Sequence, residues 1–186
     1  MTEIMNRAVV IGSSGSGKTT VARRLAAVLE VPFLEMDAVF HREGWAQTPP
    51  AEFRKTLADF TAAQRWVVDG SYTGHGGRDI VWPRADTVVW LDPPRRVAMT
   101  RVILRTLRRV ITREELWNGV REPWTNLYSR DPEKNIVVWT WTRFHVAREK
   151  YEAALSDGSW DHATVHRLRE PAEVERFLTS VKTTQV

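Results

Sequence analysis

Gly12-Ser13-Ser14-Gly15-Ser16-Gly17-Lys18-Thr19 satisfies the pattern G-x-x-x-x-G-K-[ST]. Glycines let such a loop take positive φ and turn bare backbone N–H groups onto a phosphate, and a helix starting just after it adds its positive N-terminal end. On this reading Gly12, Gly15, Ser16 and Gly17 cradle the phosphates, and Lys18 brings a point charge to the β- and γ-phosphates. Thr19 offers a hydroxyl to Mg²⁺, a hard cation that prefers oxygen ligands. Thr20 joins the same set. Four fixed positions arise by chance in roughly one chain in a hundred of this length, so context decides. Ala8 to Ile11 (AVVI) reads as a buried strand directly before the loop. Directly after it, Val21, Ala22, Leu25, Ala26 and Leu29 share one face of a helix predicted over Thr19 to Leu29.

The remaining elements must position this loop. Val31 to Leu34, Trp66 to Val68, Val88 to Leu91 and Thr164 to Leu168 read as further short strands. Helical patterns cover Pro50 to Gln64, Arg95 to Val110, Arg143 to Leu155 and Ala172 to Val181. Strands alternating with helices predict an α/β fold, a doubly wound parallel sheet of about five strands in a single domain over 1–186. Residues 38–66 form a helical segment on one side of the site, and 112–142 break the rhythm with proline, charge and tryptophan, as a lid insertion would. Four of the nine tryptophans, Trp117, Trp124, Trp139 and Trp141, fall in that insertion. They would anchor a cover or stack on a base.

Of the 186 residues, 42% are hydrophobic and 27% charged, enough for one real core. The absence of cysteine excludes a disulfide framework, a cysteine-ligated zinc and thiol catalysis, and it fits a reducing cytoplasm. No apolar run approaches the roughly 20 residues that cross a bilayer, and the five histidines have no metal-ligand spacing, so neither membrane nor zinc is expected. The net charge of +4 asks for a polyanionic partner: nucleic acid, membrane or a small phosphate ester. It is concentrated on one helix, where Arg101, Arg105, Arg108 and Arg109 share a sector opposite Met99, Val102, Ile103, Leu104, Leu107, Val110 and Ile111. Cations this close repel unless an anion or water compensates, and a polyphosphate compensates well.

The loop, Leu34 to Phe40 (LEMDAVF), Val67 to Tyr72 (VVDGSY), Ala85 to Asp92 (ADTVVWLD) and Arg113 to Gly119 (REELWNG) together resemble the adenylate-kinase-like P-loop kinases. The last motif is similar to that of a bacterial subgroup known as topology modulation proteins or adenylate-kinase-family ATPases. The resemblance spans nearly the whole chain and implies the P-loop NTPase fold, with ATP and Mg²⁺ as cofactors. It places Asp37 at the end of the second strand, where similar kinases keep a carboxylate near the acceptor hydroxyl. Capping of the next helix or turn is the competing role for that aspartate. Glu35 would reach Mg²⁺ only through water. Asp69 and Gly70 resemble the aspartate-glycine step of nucleotide kinases, with Asp69 behind Mg²⁺ and Gly70 beside the acceptor.

Arg78, at the end of the glycine-rich stretch Ser71 to Arg78, is the acceptor-side cation, with Arg84 its rival and a solvated surface loop the alternative. Adenylate kinases carry phosphate-binding arginines nine and thirteen residues after the aspartate that ends the preceding strand, the spacing of Arg101 and Arg105 from Asp92. Arg169 follows the last strand, where similar kinases hold adenine. Arg113, Arg121, Arg130, Arg143 and Arg148 are scattered through or just after the lid. Of these, Arg143 and Arg148 are the candidates to stabilise the transferred phosphoryl, against ordinary ion pairs with Glu149 or Glu152.

The expected function is an ATP- and Mg²⁺-dependent transfer to a small nucleotide, nucleoside or hydroxylated metabolite, by a monomer or homodimer. The alternative is a nucleotide-regulated DNA- or RNA-binding ATPase of the topology modulation type. Nucleic acid is disfavoured as a partner: no helix-turn-helix, RNP-type or zinc-finger pattern is present, and the arginine face coincides with the expected ATP position.

Overall fold

The computed structural model describes residues 5–72 and 75–184. Five strands, β1 (Arg7–Gly12), β2 (Phe33–Glu35), β3 (Trp66–Asp69), β4 (Thr87–Leu91) and β5 (Thr164–Leu168), form one parallel sheet in the order β2-β3-β1-β4-β5. Alternate side chains of each strand feed opposite faces. Ala8 and Val10 of β1 pack with α1 (Lys18–Leu29) and α8 (Pro171–Thr184), while Val9 and Ile11 point to the face covered by α3 (Pro50–Phe60), α4 (Gly77–Val81) and α7 (Ile136–Ser156). Burial on both sides explains why β1, β3 and β4 are largely apolar runs, whereas β5 (TVHRL) at the sheet edge is only half-buried and carries His166 and Arg167. The expected doubly wound sheet is therefore the observed one.

Several boundaries differ from the sequence reading. The helix expected to reach Gln64 ends at Phe60, and α5 runs over Arg95–Thr112. The helix expected from Arg143 begins instead at Ile136, capped by the Asn135 side chain, which accepts from the Val137 and Val138 amides at 2.9 and 3.2 Å. The run Ile136 to Trp141 is apolar on all sides and has no helical period, so the cap was its one local sign. Residues 136–142 of the expected lid are thus part of α7. The rest is built of single turns at Trp117–Gly119 and Pro132–Lys134 with the short helix α6 (Thr125–Tyr128) between them. Within 38–66, the short helix α2 (Met36–Phe40) and a turn at Glu43–Trp45 precede α3, and Trp66 already belongs to β3.

Helix α5 departs from a simple two-faced helix. Ala98, Met99, Val102, Thr106 and Val110 are buried, yet Ile103, Leu104, Leu107 and Ile111 are exposed, and Arg105 and Arg109 turn half inward. Acidic partners decide this: Arg109 lies 3.5 Å from the buried Glu122 carboxylate and 4.0 Å from Glu114, which also takes Arg108 at 2.7 Å. Among the described residues no helix is long and apolar enough to cross a membrane.

Candidate active site

The C-terminal ends of the neighbouring strands β3, β1 and β4 lie at one edge of the sheet, the usual ligand position in such folds. Gly12 ends β1 and Gly17 caps α1, so the loop between them is pinned at both ends. A Cβ on Gly12 would stand 2.6 Å from the Leu91 carbonyl, and one on Gly15 would stand 2.2 Å from that of Ala98. The loop is therefore pressed onto β4 and α5. Arg101 reaches back to it, donating to the Ser16 carbonyl at 3.1 Å. Lys18 and Thr19 are half-buried in the first turn of α1 and Thr20 is exposed.

Thr19 donates its hydroxyl to Asp69 Oδ2 at 2.5 Å. The other oxygen, Oδ1, is buried and meets no hydrogen-bond partner among the described residues. Burial pushes the Asp69 carboxyl up to about 6, Lys18 and the Thr19 hydroxyl oppose the rise, and Asp37 and Glu35 add to it. A hydroxyl and a carboxylate with a spare buried oxygen suit a small hard cation, so these two residues fit Mg²⁺. Gly70 follows, its amide donating to the Val10 carbonyl at 3.0 Å.

Asp37 does not end β2, which stops at Glu35; it lies in the first turn of α2. Its Oδ1 accepts the Tyr72 hydroxyl at 2.5 Å. Its charge also acts on Arg105, whose pKa is lowered by burial and by neighbouring Arg109 while Glu122 and Asp37 oppose that shift. Arg101 thus reaches the loop directly, whereas Arg105 is half-buried among the charges of Arg109, Glu122 and Asp37. Glu35 is fully engaged, accepting Arg23 at 2.7 Å and the Trp117 indole N–H at 3.0 Å.

The expected cations are dispersed. Arg78 lies on α4, its guanidinium 4.3 Å over the Trp82 ring and donating to Ser159 at 3.2 Å. Arg84 donates to the Ala58 carbonyl and to Thr61. Thr73 and Gly74 of the glycine-rich stretch lie outside the described residues. Arg148 is 3.5 Å from Asp92 and 3.4 Å from Glu152, in a network that Arg167 dominates at 2.6 Å from Asp92. Arg169 joins it at 3.6 Å. Arg143 is exposed on α7.

Contacts between distant segments went unread. Trp117 stacks on His41 with ring planes 18° apart, and Asn118 donates its amide to the Ala38 and His41 carbonyls at 3.1 and 2.6 Å. Trp45 donates to the Arg121 carbonyl at 3.0 Å. The motif Arg113 to Gly119 therefore clasps α2, the helix that carries Asp37.

The family profile for shikimate kinase matches residues 14–135 of this chain, the loop through the clasping segment. The chain belongs to the shikimate kinase family. A cytidylate kinase from Pyrobaculum neutrophilum is 35% identical over 143 residues, 66% of this chain and 74% of that protein. A shikimate kinase from Mycobacterium avium is 40% identical over 73 residues, 38% of this chain and 40% of that one. Among solved structures, a shikimate kinase from Acinetobacter baumannii in complex with shikimate superposes with a TM-score of 0.54 at 20% identity, covering 99% of this chain and 97% of its own. A gluconokinase from Sinorhizobium meliloti does so at 0.52 and 19%, covering 98% and 94%. These two likenesses speak to the fold. As a shikimate kinase family member with cytidylate kinase relatives, the protein is an enzyme, a P-loop kinase that phosphorylates a small molecule.

Proposed function

We propose that this kinase transfers the γ-phosphoryl group of ATP to a small nucleotide, nucleoside or hydroxylated metabolite, with Mg²⁺ held at Thr19 and, through water, at Asp69. The observation that carries the reading is the pair of carboxylates beside the P-loop, Asp69 bound to Thr19 and Asp37 with Oδ1 taken by Tyr72. The acceptor oxygen bonds to the γ-phosphorus and the bond from that phosphorus to the bridging oxygen of ADP breaks; where the acceptor is a hydroxyl, its proton passes to the Asp37 carboxylate. When bound, Mg²⁺ neutralises charge on the phosphate oxygens. The loop amides, Lys18, Arg101 and Arg105 hold the phosphates, Thr20 borders them, and Arg169 lies by the adenine. Gly70 borders the acceptor, while Arg78 is held by Trp82 and Ser159.

Arg148 is committed to Asp92 and Glu152, whereas exposed Arg143 is free to swing toward the phosphoryl group when the lid closes. The lid is 113–135 joined to the start of α7, and 38–66 is the acceptor side. The narrower kinship with topology modulation proteins rests on Arg113 to Gly119 alone, and a polymer partner is not part of this reading.

The test offers γ-labelled ATP with cytidine, cytidine monophosphate, shikimate and gluconate, following label in the acceptor. Transfer to one of them, lost by at least about a thousandfold in Lys18→Ala with an unchanged melting curve, is the expected result. Label released only as inorganic phosphate with every acceptor, at equal rates in both proteins, would sink the reading.

A further inference from the structure

Tyr72 has no role in the phosphate-binding motif or in any cation set, yet it is the most constrained residue near the acceptor side. Its φ of 37° lies in the left-handed region, which a bulky aromatic residue rarely adopts. The surroundings enforce that conformation. The His75 and Gly77 amides both donate to the Tyr72 carbonyl, at 3.2 and 3.1 Å, and the ring packs against Phe40 and Phe53 with centroids 4.6 and 5.4 Å away. A strained residue held by so many contacts marks a place where local geometry serves something beyond the fold. The strain sends the phenol 35 positions back along the chain to one oxygen of one carboxylate.

We infer that Tyr72 is a positioning residue, which ties down Asp37 Oδ1 and so presents Oδ2 to the acceptor hydroxyl in a single orientation. The inference rests on the phosphotransfer reading above. A carboxylate on a five-residue helix has a free rotation about its terminal bond, and a charge-assisted hydrogen bond to one oxygen removes it. The phenol is suited to the task because it gives up its proton far less readily than a free tyrosine: burial holds its pKa high, and Asp37, Asp69 and Glu35 all reinforce that. Trp117 and Asn118 reach the same helix from the other side, so Asp37 is oriented by Tyr72 while its backbone is held by the lid motif.

Tyr72→Phe is the decisive variant, because it keeps the ring among Phe40 and Phe53 and removes only the hydroxyl. Two measurements on the full chain are needed. In the ligand-free protein, proton NMR should show a Tyr72 hydroxyl line protected from exchange, and Asp37→Asn should shift it. In transfer from ATP to shikimate and to gluconate, whose acceptor groups are hydroxyls, Tyr72→Phe should lower kcat about tenfold while KM for ATP stays within about twofold. In the Asp37→Asn background the same change should have no further effect.

An unprotected Tyr72 hydroxyl, a kcat equal to that of the wild type, or a Tyr72→Phe effect that persists undiminished without the Asp37 carboxylate would overturn the inference. Full transfer by Asp37→Asn would overturn it as well, whereas label released only as inorganic phosphate by the unaltered chain would strike the phosphotransfer reading instead.

Discussion

The two sides of the crevice are built by different means. On the phosphate side the backbone does the work: a strand end, a tight loop and a helix start lie within one short stretch of chain, pressed against β4 and α5 at distances that leave no space for a side chain. On the proposed acceptor side the fixed points are side chains from remote segments, namely Tyr72 on Asp37, Trp117 on Glu35 and Asn118 on the Ala38 and His41 carbonyls. A backbone cradle is rigid and cannot be altered piecemeal. A set of single hydrogen bonds can be released one at a time, as an enzyme that must admit an acceptor and then exclude water requires.

Gly15 and Gly119 give the sharpest contrast, since their φ values are 76° and 75° but their surroundings differ. Gly15→Ala drives its Cβ into the Ala98 carbonyl and Val102, whereas Gly119→Ala meets nothing within 4 Å. The first should cost about 2–4 kcal/mol, lowering the melting temperature by on the order of 10 °C and abolishing nucleotide binding. The second carries only the left-handed backbone penalty, about 1–2 kcal/mol. Equal melting temperatures for the two variants would erase the distinction drawn between the sides.

A middle-sized effect tests the carboxylate that faces both sides. Asp69 is raised from an ordinary 3.8 to about 6 in the folded chain. Between those values the unfolded chain has lost the proton that the folded chain keeps. Ligand-free stability should therefore fall as pH climbs from about 4 to 6, level off above, and lose this dependence in Asp69→Asn. Because a cation competes with that proton, Mg²⁺ affinity should rise about tenfold from pH 5 to 7. Titration calorimetry returning the same affinity at both pH values would remove Asp69 from the cation site.

The smallest effect belongs to the clasp. Asn118→Ala removes two hydrogen bonds at an exposed position and should raise KM for the acceptor about threefold to tenfold, leaving KM for ATP and the melting temperature nearly unchanged. A parallel rise in both KM values would mean that the clasp supports the whole crevice rather than its acceptor side.

Much of the phosphate side was legible in the chain because its information is local. The glycines, Lys18 and Thr19 are neighbours in sequence, and continuous apolar strands announce a sheet covered on both faces. The extra turns of α7 were missed because Ile136 to Trp141 carries no helical period. The arginine face of α5 was read as a polar side, but Glu114 and Glu122, brought over by a later segment, draw Arg109 inward.

Arg78 and Arg148 illustrate the same limit, since a cation is available to a substrate only if no closer partner has taken it. Trp82 with Ser159, and Asp92 with Glu152, are such partners, and no spacing rule reveals them. Residue order therefore specified the sheet, the loop and the phosphate chemistry, all of which depend on short-range backbone geometry and periodic burial. Which partner Asp37 takes, which arginines are paired among the described residues and what grips α2 were decided only when the chain folded, because each is a pairing between groups far apart in sequence.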